Sequence, residues 1–461
     1  MPPQLALFLV TVCVLIILRI EYRKSGISSV ACWVISIWLV YSGGKGIGAF
    51  LKVNTTIEAG SPPDRYFLLL IGIVGIFILL KRGFQWGLAL KRNWLFVLIL
   101  AYMLLSITWA RVPAISFRRW GREAISLIML CLLVSEESPI KSFSSALKRA
   151  IYIYLPFSLL LIKYFSIYGR LYNRYTGEVQ WIGLASQKNG LCIFCAFSCL
   201  FLTWLLWQNL LNWKIAESKL QIIIDTFMLI LSIYIMMGPK RLLTYSATSF
   251  ISLLAGLAIM IIIKLSVKRS IKLERKITVL VLIIIFIGAL MPFSGKIPIK
   301  GLPQLLGRTE SLTGRTDIWN SLLPYAKSRF LLGYGYGGFW TTFLREQIAS
   351  HAHNGSLNTV LDLGIIGLIL FIVFLAVTTW KCCKLIKNES SIFILFLSMI
   401  FLYSTRNIAE IAFGEFITIS GVLIAFISFL VNDEISKVDK IENSEQHIFD
   451  NLEDKNNSLI V

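Results

Sequence analysis

Charge is scarce in this chain, and acid is scarcer than base. Only 15% of its 461 residues are Asp, Glu, Lys or Arg, whereas 56% are hydrophobic, and the mean hydropathy is +0.74. Soluble domains carry roughly a quarter charged residues. A soluble kinase, dehydrogenase or transcription factor is therefore excluded. Acids number 25 against 45 bases, a net charge of +20. In so apolar a chain that excess reads as membrane-topology signal plus anion-binding sites, not as a nucleic-acid surface. Walker sequences are missing, as are Asp-x-Asp pairs and His/Glu metal spacings, so no cofactor and no metal is expected. The eight cysteines lie almost all in apolar runs. Cys192, Cys195 and Cys199 share a helix face, which suits either a small-residue helix contact or a thiolate metal site. Residues 4–20 are apolar but lack the basic start and cleavage site of a secretory signal.

What the chain does have is apolar runs. Thirteen stretches are long enough, or nearly so, to span a bilayer: 4–20, 27–41, 66–80, 94–110, 122–135, 151–166, 188–207, 221–237, 244–264, 277–294, 360–380, 391–405 and 413–431. Open sheets cannot sit in lipid. The expected fold is an all-α polytopic membrane protein of about 12–13 transmembrane helices. One long hydrophilic stretch, 295–355, separates an N-terminal membrane part (1–294) from a C-terminal one (356–431). An acidic tail, 432–461, reads as cytoplasmic and disordered.

The connection Lys264–Lys276 is strongly basic and should be cytoplasmic. Alternation then places the loop 295–355 outside. On this topology the outer segments hold 8 of the 25 Lys but 13 of the 20 Arg. Lysine obeys the positive-inside rule and arginine does not. Guanidinium forks match phosphate oxygens, so the arginine excess points to an anion. Candidate ligands are Arg174 and Lys188, Lys240 and Arg241 in a short turn, and Arg308 and Arg315 in the repeated Gly-Arg-Thr of the long loop. Lys240 has a second reading as a bilayer-boundary anchor.

Within the loop, 316–327 and 340–349 read as short amphipathic helices, with Thr316 as a cap for the first. Between them runs Gly333-Tyr-Gly-Tyr336-Gly-Gly-Phe-Trp340. It is either a set of turns with an interfacial aromatic belt or a surface on which sugar rings stack. His351 and His353 follow, in His-Ala-His-Asn354-Gly-Ser356, just before a helix start. A helix N-terminus disfavours imidazolium and attracts anions. A neutral imidazole beside an anion site is a competent general base near pH 7. His353 is the candidate catalytic residue.

The series Gly314-Arg315-Thr-Asp-Ile-Trp319, Leu331-Leu332-Gly333 to Trp340, His351-Ala-His353-Asn354-Gly355 and Leu363-Gly364-Ile-Ile-Gly367 resembles the signature of the O-antigen ligase and polymerase superfamily. Arg118-Arg119, Arg174 to Gly177 with Lys188-Asn189, and Arg241 fit the same pattern, over roughly residues 94–380. The resemblance implies a metal-independent, periplasm-facing glycosyltransferase of the bacterial inner membrane. Its donor would be an undecaprenyl-diphosphate-linked glycan. Its acceptor would be another glycan, in an exopolysaccharide or O-antigen polymerase, or lipid A–core, in a ligase. His353 would activate the acceptor hydroxyl, and Arg241 and Arg315 would hold the diphosphate. Asn354, Trp340 and Tyr336 are candidate acceptor contacts. A flippase and a chain-length regulator are the implied protein partners, among membrane lipids and with no nucleic acid. One departure is Gly238-Pro239-Lys240, where the family usually has serines before the arginine. A transporter is the alternative from a different class; it predicts internal repeats and mid-span ionisable groups.

Overall fold

The computed structural model describes residues 1–27, 29–53, 60–172, 177–211, 219–240, 243–268, 274–294, 314–386 and 391–458. Helices occupy all thirteen apolar stretches. The long ones are α1 Pro3–Ser25, α2 Val30–Gly43, α3 Pro62–Lys81, α4 Trp94–Leu105, α5 Pro113–Val134, α6 Pro139–Tyr164, α7 Lys188–Leu211, α8 Lys219–Met236, α9 Ala247–Lys268 and α10 Glu274–Ser294. They are followed by α11 Arg315–Ser328, α12 Gly355–Lys384, α13 Ile392–Asn407 and α14 Ile419–Ser458.

Among the described residues, eight helices are long and apolar enough to cross a membrane: α1, α3, α6, α7, α8, α9, α12 and α14. A ninth forms if Trp86–Arg92 and Trp94–Trp109, bent by 91°, make one broken span. The helices α2 and α13 are apolar but shorter. The chain is an all-α polytopic membrane protein. Outward residues of α3 such as Leu69, Ile73 and Phe77 are 60–65% exposed, the surface that lipid would cover.

Four features depart from expectation. A two-stranded antiparallel hairpin pairs Arg170–Tyr172 with Val179–Trp181. The last helix runs on to Ser458, well into the stretch expected to be disordered. And α11 begins after Gly314, which takes a left-handed φ of 83° and caps without a side chain, so Thr316 is not its cap. Asp317 in the first turn complements the helix dipole instead. The second amphipathic helix is only Thr342–Gln347, capped by Thr341.

Two ion pairs lie inside the helical bundle, where low dielectric penalises a lone charge. Arg149 bonds Glu21 at 2.5 Å, and Lys148 lies 3.4 Å from Asp225. Cys192, Cys195 and Cys199 are buried in α7 as part of its packing face.

One break positions the site. At Gly364 the helix α12 leaves helical geometry, with φ 68° and ψ −172°. The gap lets Ile365 N donate to Phe330 O at 2.8 Å and Tyr334 N donate to Leu361 O at 2.9 Å. The Gly/Tyr run is thereby laced onto α12.

Candidate active site

The centre forms where the start of α12 meets the turn between α13 and α14. Asn354 caps α12: its Oδ1 accepts from Leu357 N at 2.8 Å, and its Nδ2 donates to Gly288 O and Ile408 O. Asn407 Nδ2 donates to Ser356 Oγ at 3.0 Å, and its Oδ1 accepts from Phe413 N. A side chain at Gly355 would collide with Asn407, so only glycine permits this approach. These bonds carry the 408–413 turn, and Glu410 with it, onto the histidine segment.

Glu410 is 2% exposed and its Oε1 is the hub. Arg315 Nη2, at the first turn of α11, donates to it at 2.9 Å, and Asn189 Nδ2, at the start of α7, donates at 2.7 Å. His353 Nδ1 lies 3.5 Å away. Burial works against the Glu410 charge, but His353, His351 and Arg315 outweigh it and hold the carboxyl down at about 2. Asn189 is itself oriented by Ser246 Oγ.

The histidine segment is tied from three sides. Trp319 Nε1 donates to Ala352 O at 3.0 Å, Arg345 Nη1 donates to Ser350 O, and His353 N donates to His351 Nδ1 at 3.2 Å. These bonds hold His353 at φ 49°, a left-handed conformation that side chains rarely adopt. The two imidazoles sit 3.9 Å apart between centroids. Burial, reinforced by His353 and by neighbouring arginines, pushes His351 down to about 3, so it is the neutral acceptor of the pair.

The cluster can hold a proton and an anion. His353 and Arg315 flank one buried carboxylate, which keeps the guanidinium fixed and balances any imidazolium that forms. The donor atoms of His351, His353 and Glu410 also lie within 4.8 Å of one another, a spacing a metal ion can use. The Arg315 guanidinium and the Asn189 amide both point at the same carboxylate oxygen, however, so a cation there would face a fixed positive charge.

The structure sorts the remaining candidates. Lys188 opens α7 beside Asn189, with its Nζ 5.4 Å from the Tyr245 ring, and so stands at the edge of the cluster. Lys240 is exposed and pairs with exposed Glu178 at 2.5 Å. Arg174, Arg241 and Arg308 lie outside the described residues. The three expected acceptor contacts are hydrogen-bonded within the protein. Asn354 spends its amide on the cap and the two carbonyls; Trp340 Nε1 donates to Asn358 Oδ1 at 2.7 Å; Tyr336 OH donates to Glu123 Oε1 at 2.5 Å. All three side chains are buried, because the Gly/Tyr run wedges between α5 and α12 where the bundle core needs aromatic bulk. Glu410 was missed by sequence reading. Its one signal is an acid, followed by Glu415, in the short connection after Arg406-Asn407.

Residues 227–372 match the O-antigen ligase family. Among curated proteins, the exopolysaccharide production protein ExoQ of Rhizobium meliloti (strain 1021) is 22% identical over 322 residues, covering 64% of this chain. The chain spans 66% of that relative's length, just under two thirds. No solved structure matches. The family match falls on the stretch that supplies Arg315, the Gly/Tyr run and His353, and together with the exopolysaccharide relative it supports the resemblance to the O-antigen ligase and polymerase superfamily.

Proposed function

We propose that the chain moves a glycan from undecaprenyl diphosphate to a sugar hydroxyl, without a metal, on the periplasmic side of the bacterial inner membrane, and that it polymerises exopolysaccharide or O-antigen repeats. The observation that carries this is the Arg315–Glu410–His353 cluster, in which a buried ion pair meets a partly exposed imidazole. A sugar hydroxyl is a weak nucleophile until its proton is taken, whereas a lipid diphosphate leaves readily. With the Nδ1 proton directed at Glu410, His353 Nε2 takes the hydroxyl proton. The hydroxyl oxygen then bonds the anomeric carbon, and the bond to the diphosphate breaks with its electron pair on the leaving oxygen. Arg315 receives that charge, with Lys188 beside it and Arg174, Arg241 and Arg308 as further ligands. Lys240, already paired, contributes least. A flippase supplies the donor and a chain-length regulator sets product size.

Polymerisation is favoured by the exopolysaccharide relative. The ligase reading, transfer to lipid A–core, is favoured by the family description over residues 227–372. Incubation of the purified chain with undecaprenyl-diphosphate-linked repeat, in EDTA, discriminates them. A ladder of lipid-linked oligomers supports polymerisation. No ladder, with transfer once lipid A–core is added, moves the assignment to ligase; no transfer in either case overturns the reading. Sidedness is checked by an impermeant thiol reagent on spheroplasts. A cysteine replacing exposed Ser350 should react and one in 264–276 should not.

A further inference from the structure

The arginines of α5 have no place in the centre just described. Arg118, Arg119 and Arg122 all face a separate open cavity of about 650 Å³, and Arg65 from the start of α3 faces it from the opposite wall. Four guanidinium groups in one cavity repel one another. Arg118 and Arg122 stand four apart on one helix, where like charges destabilise. Two acids line the cavity with them. Asp64 spends its carboxylate on Ile47 N, Gly48 N and Tyr41 OH, Glu415 lines the same space, and buried Glu123 and Asp362 lie within electrostatic reach of Arg122 and Arg119. The cavity is therefore a net cationic pocket built into a chain otherwise poor in charge.

One wall is apolar. Leu68, Leu69, Ile115 and Ile125 form it, beside a polar edge of Ser42, Ser61 and Thr418, and Leu69 and the α3 residues beyond it, Ile73 and Phe77, continue as exposed hydrophobic surface. A cationic mouth running into a lipid-facing apolar wall suits an amphiphile with an anionic head and a hydrocarbon tail, not a free sugar.

The pocket is separate from the His353 centre but coupled to it. Arg119 Nη1 donates to Gly337 O, in the Gly/Tyr run that is laced onto α12. Phe416 N donates to Glu123 Oε2 at 2.9 Å, which pins the 415–418 rim to α5. Glu410 and Glu415 lie five residues apart on one strand of chain. Fully extended, five residues reach at most about 18 Å. An acceptor whose lipid phosphate sat in this pocket would thus have its first sugars within reach of His353.

We propose that the Arg65/Arg118/Arg119/Arg122 cavity binds the phosphate head of a second lipid-linked substrate, the acceptor, at a site distinct from the Arg315 site for the donor. The assignment of that lipid as acceptor rests on the proposed transfer reaction; the binding of a lipid phosphate does not.

The test uses the full chain in phosphatidylcholine nanodiscs, titrated with farnesyl diphosphate, inorganic diphosphate or phosphatidylglycerol. Two farnesyl diphosphate sites per chain are expected. Arg118→Gln/Arg122→Gln should weaken one at least tenfold and leave the other intact, and Arg315→Ala should do the reverse. Persistence of the second site in each variant excludes simple misfolding. Inorganic diphosphate should bind the α5 site at least tenfold more weakly than farnesyl diphosphate. Equal affinity would reduce the cavity to a free-phosphate site and overturn the lipid assignment, and displacement by phosphatidylglycerol would make it a bulk-lipid site. A single site insensitive to Arg118→Gln/Arg122→Gln would sink the proposal outright. Loss of the Arg315-sensitive site alone from the wild-type titration would count against the donor reading and leave this one standing.

Discussion

Arg315 and Glu410, 95 positions apart, meet in a 2.9 Å ion pair with both side chains at least nine-tenths buried. The carboxylate oxygen that accepts from Arg315 is the one that lies 3.5 Å from His353 Nδ1. A single acid thus fixes the orientation of the cation and balances the charge of the candidate base.

Glu410→Gln keeps the shape and removes the charge. Arg315 then loses a charge-assisted partner and His353 its counter-ion. Transfer should fall roughly ten- to a hundred-fold, the equivalent of about 1.5–3 kcal/mol. Glu410→Ala should in addition destabilise the fold by on the order of 3–5 kcal/mol, since it leaves a buried guanidinium unpaired. Thermal unfolding beside the transfer assay separates the two; a fully active Glu410→Gln protein would remove the acid from the mechanism.

His353→Ala should abolish turnover, since loss of a general base costs about 100- to 10,000-fold. His351→Ala should keep substantial activity, because His351 supports the backbone of His353 through one hydrogen bond. Reversed rankings in an assay with purified lipid-linked donor would transfer the base role to His351.

Arg315→Ala should lose roughly ten- to a hundred-fold in rate. Arg315→Lys should fall between, because an ammonium cannot make the forked contact. Arg329 is exposed and stacks on Tyr334 with its guanidinium 5.0 Å from the ring centre, so Arg329→Ala should stay near wild type. Equal mild losses at both positions would mean that the anion is held elsewhere.

The His351 pKa, pushed from 6.5 to about 3, makes stability depend on pH with a definite sign. Between those values the unfolded chain binds a proton that the folded chain refuses, so stability rises with pH. Glu410, held down at about 2, adds stability above its ordinary 4.5 that is lost as pH falls toward 2. The melting temperature should therefore decline as pH drops below about 6.5, and His351→Gln should flatten that decline. Parallel profiles for the two proteins from pH 7 to 5 would show that His351 titrates normally.

Gly364→Ala tests the break in α12. Its φ of 68° with ψ −172° is open to glycine alone, and a Cβ there would strike the Leu331 carbonyl. The cost should be about 1–3 kcal/mol of strain. It should also loosen the Gly/Tyr run, seen as faster hydrogen exchange at Tyr334 N. Unchanged melting and exchange would contradict the role given to the break.

Sequence alone determined what is local or compositional. Apolar runs of 15–20 residues dictate helices, because lipid leaves backbone groups no other partners. His353 and Arg315 were legible because each sits in a short motif whose spacing survives without the fold. The tertiary structure decided the rest. Glu410 has no neighbour in sequence that marks it; only the Asn354 cap, the Asn407 bridge and the bare Cα of Gly355 bring its turn to the histidines. In sequence the Gly/Tyr run reads equally well as turns with an interfacial aromatic belt or as a sugar platform, since aromatic rings serve both. Only the fold shows that Tyr336 and Trp340 are buried between the flanking helices. Arg118, Arg119 and Arg122 look like one more basic cluster in the chain, and their meeting with Arg65 around one cavity appears only when α3 packs on α5, because side-chain convergence is a property of helix packing and not of helix sequence.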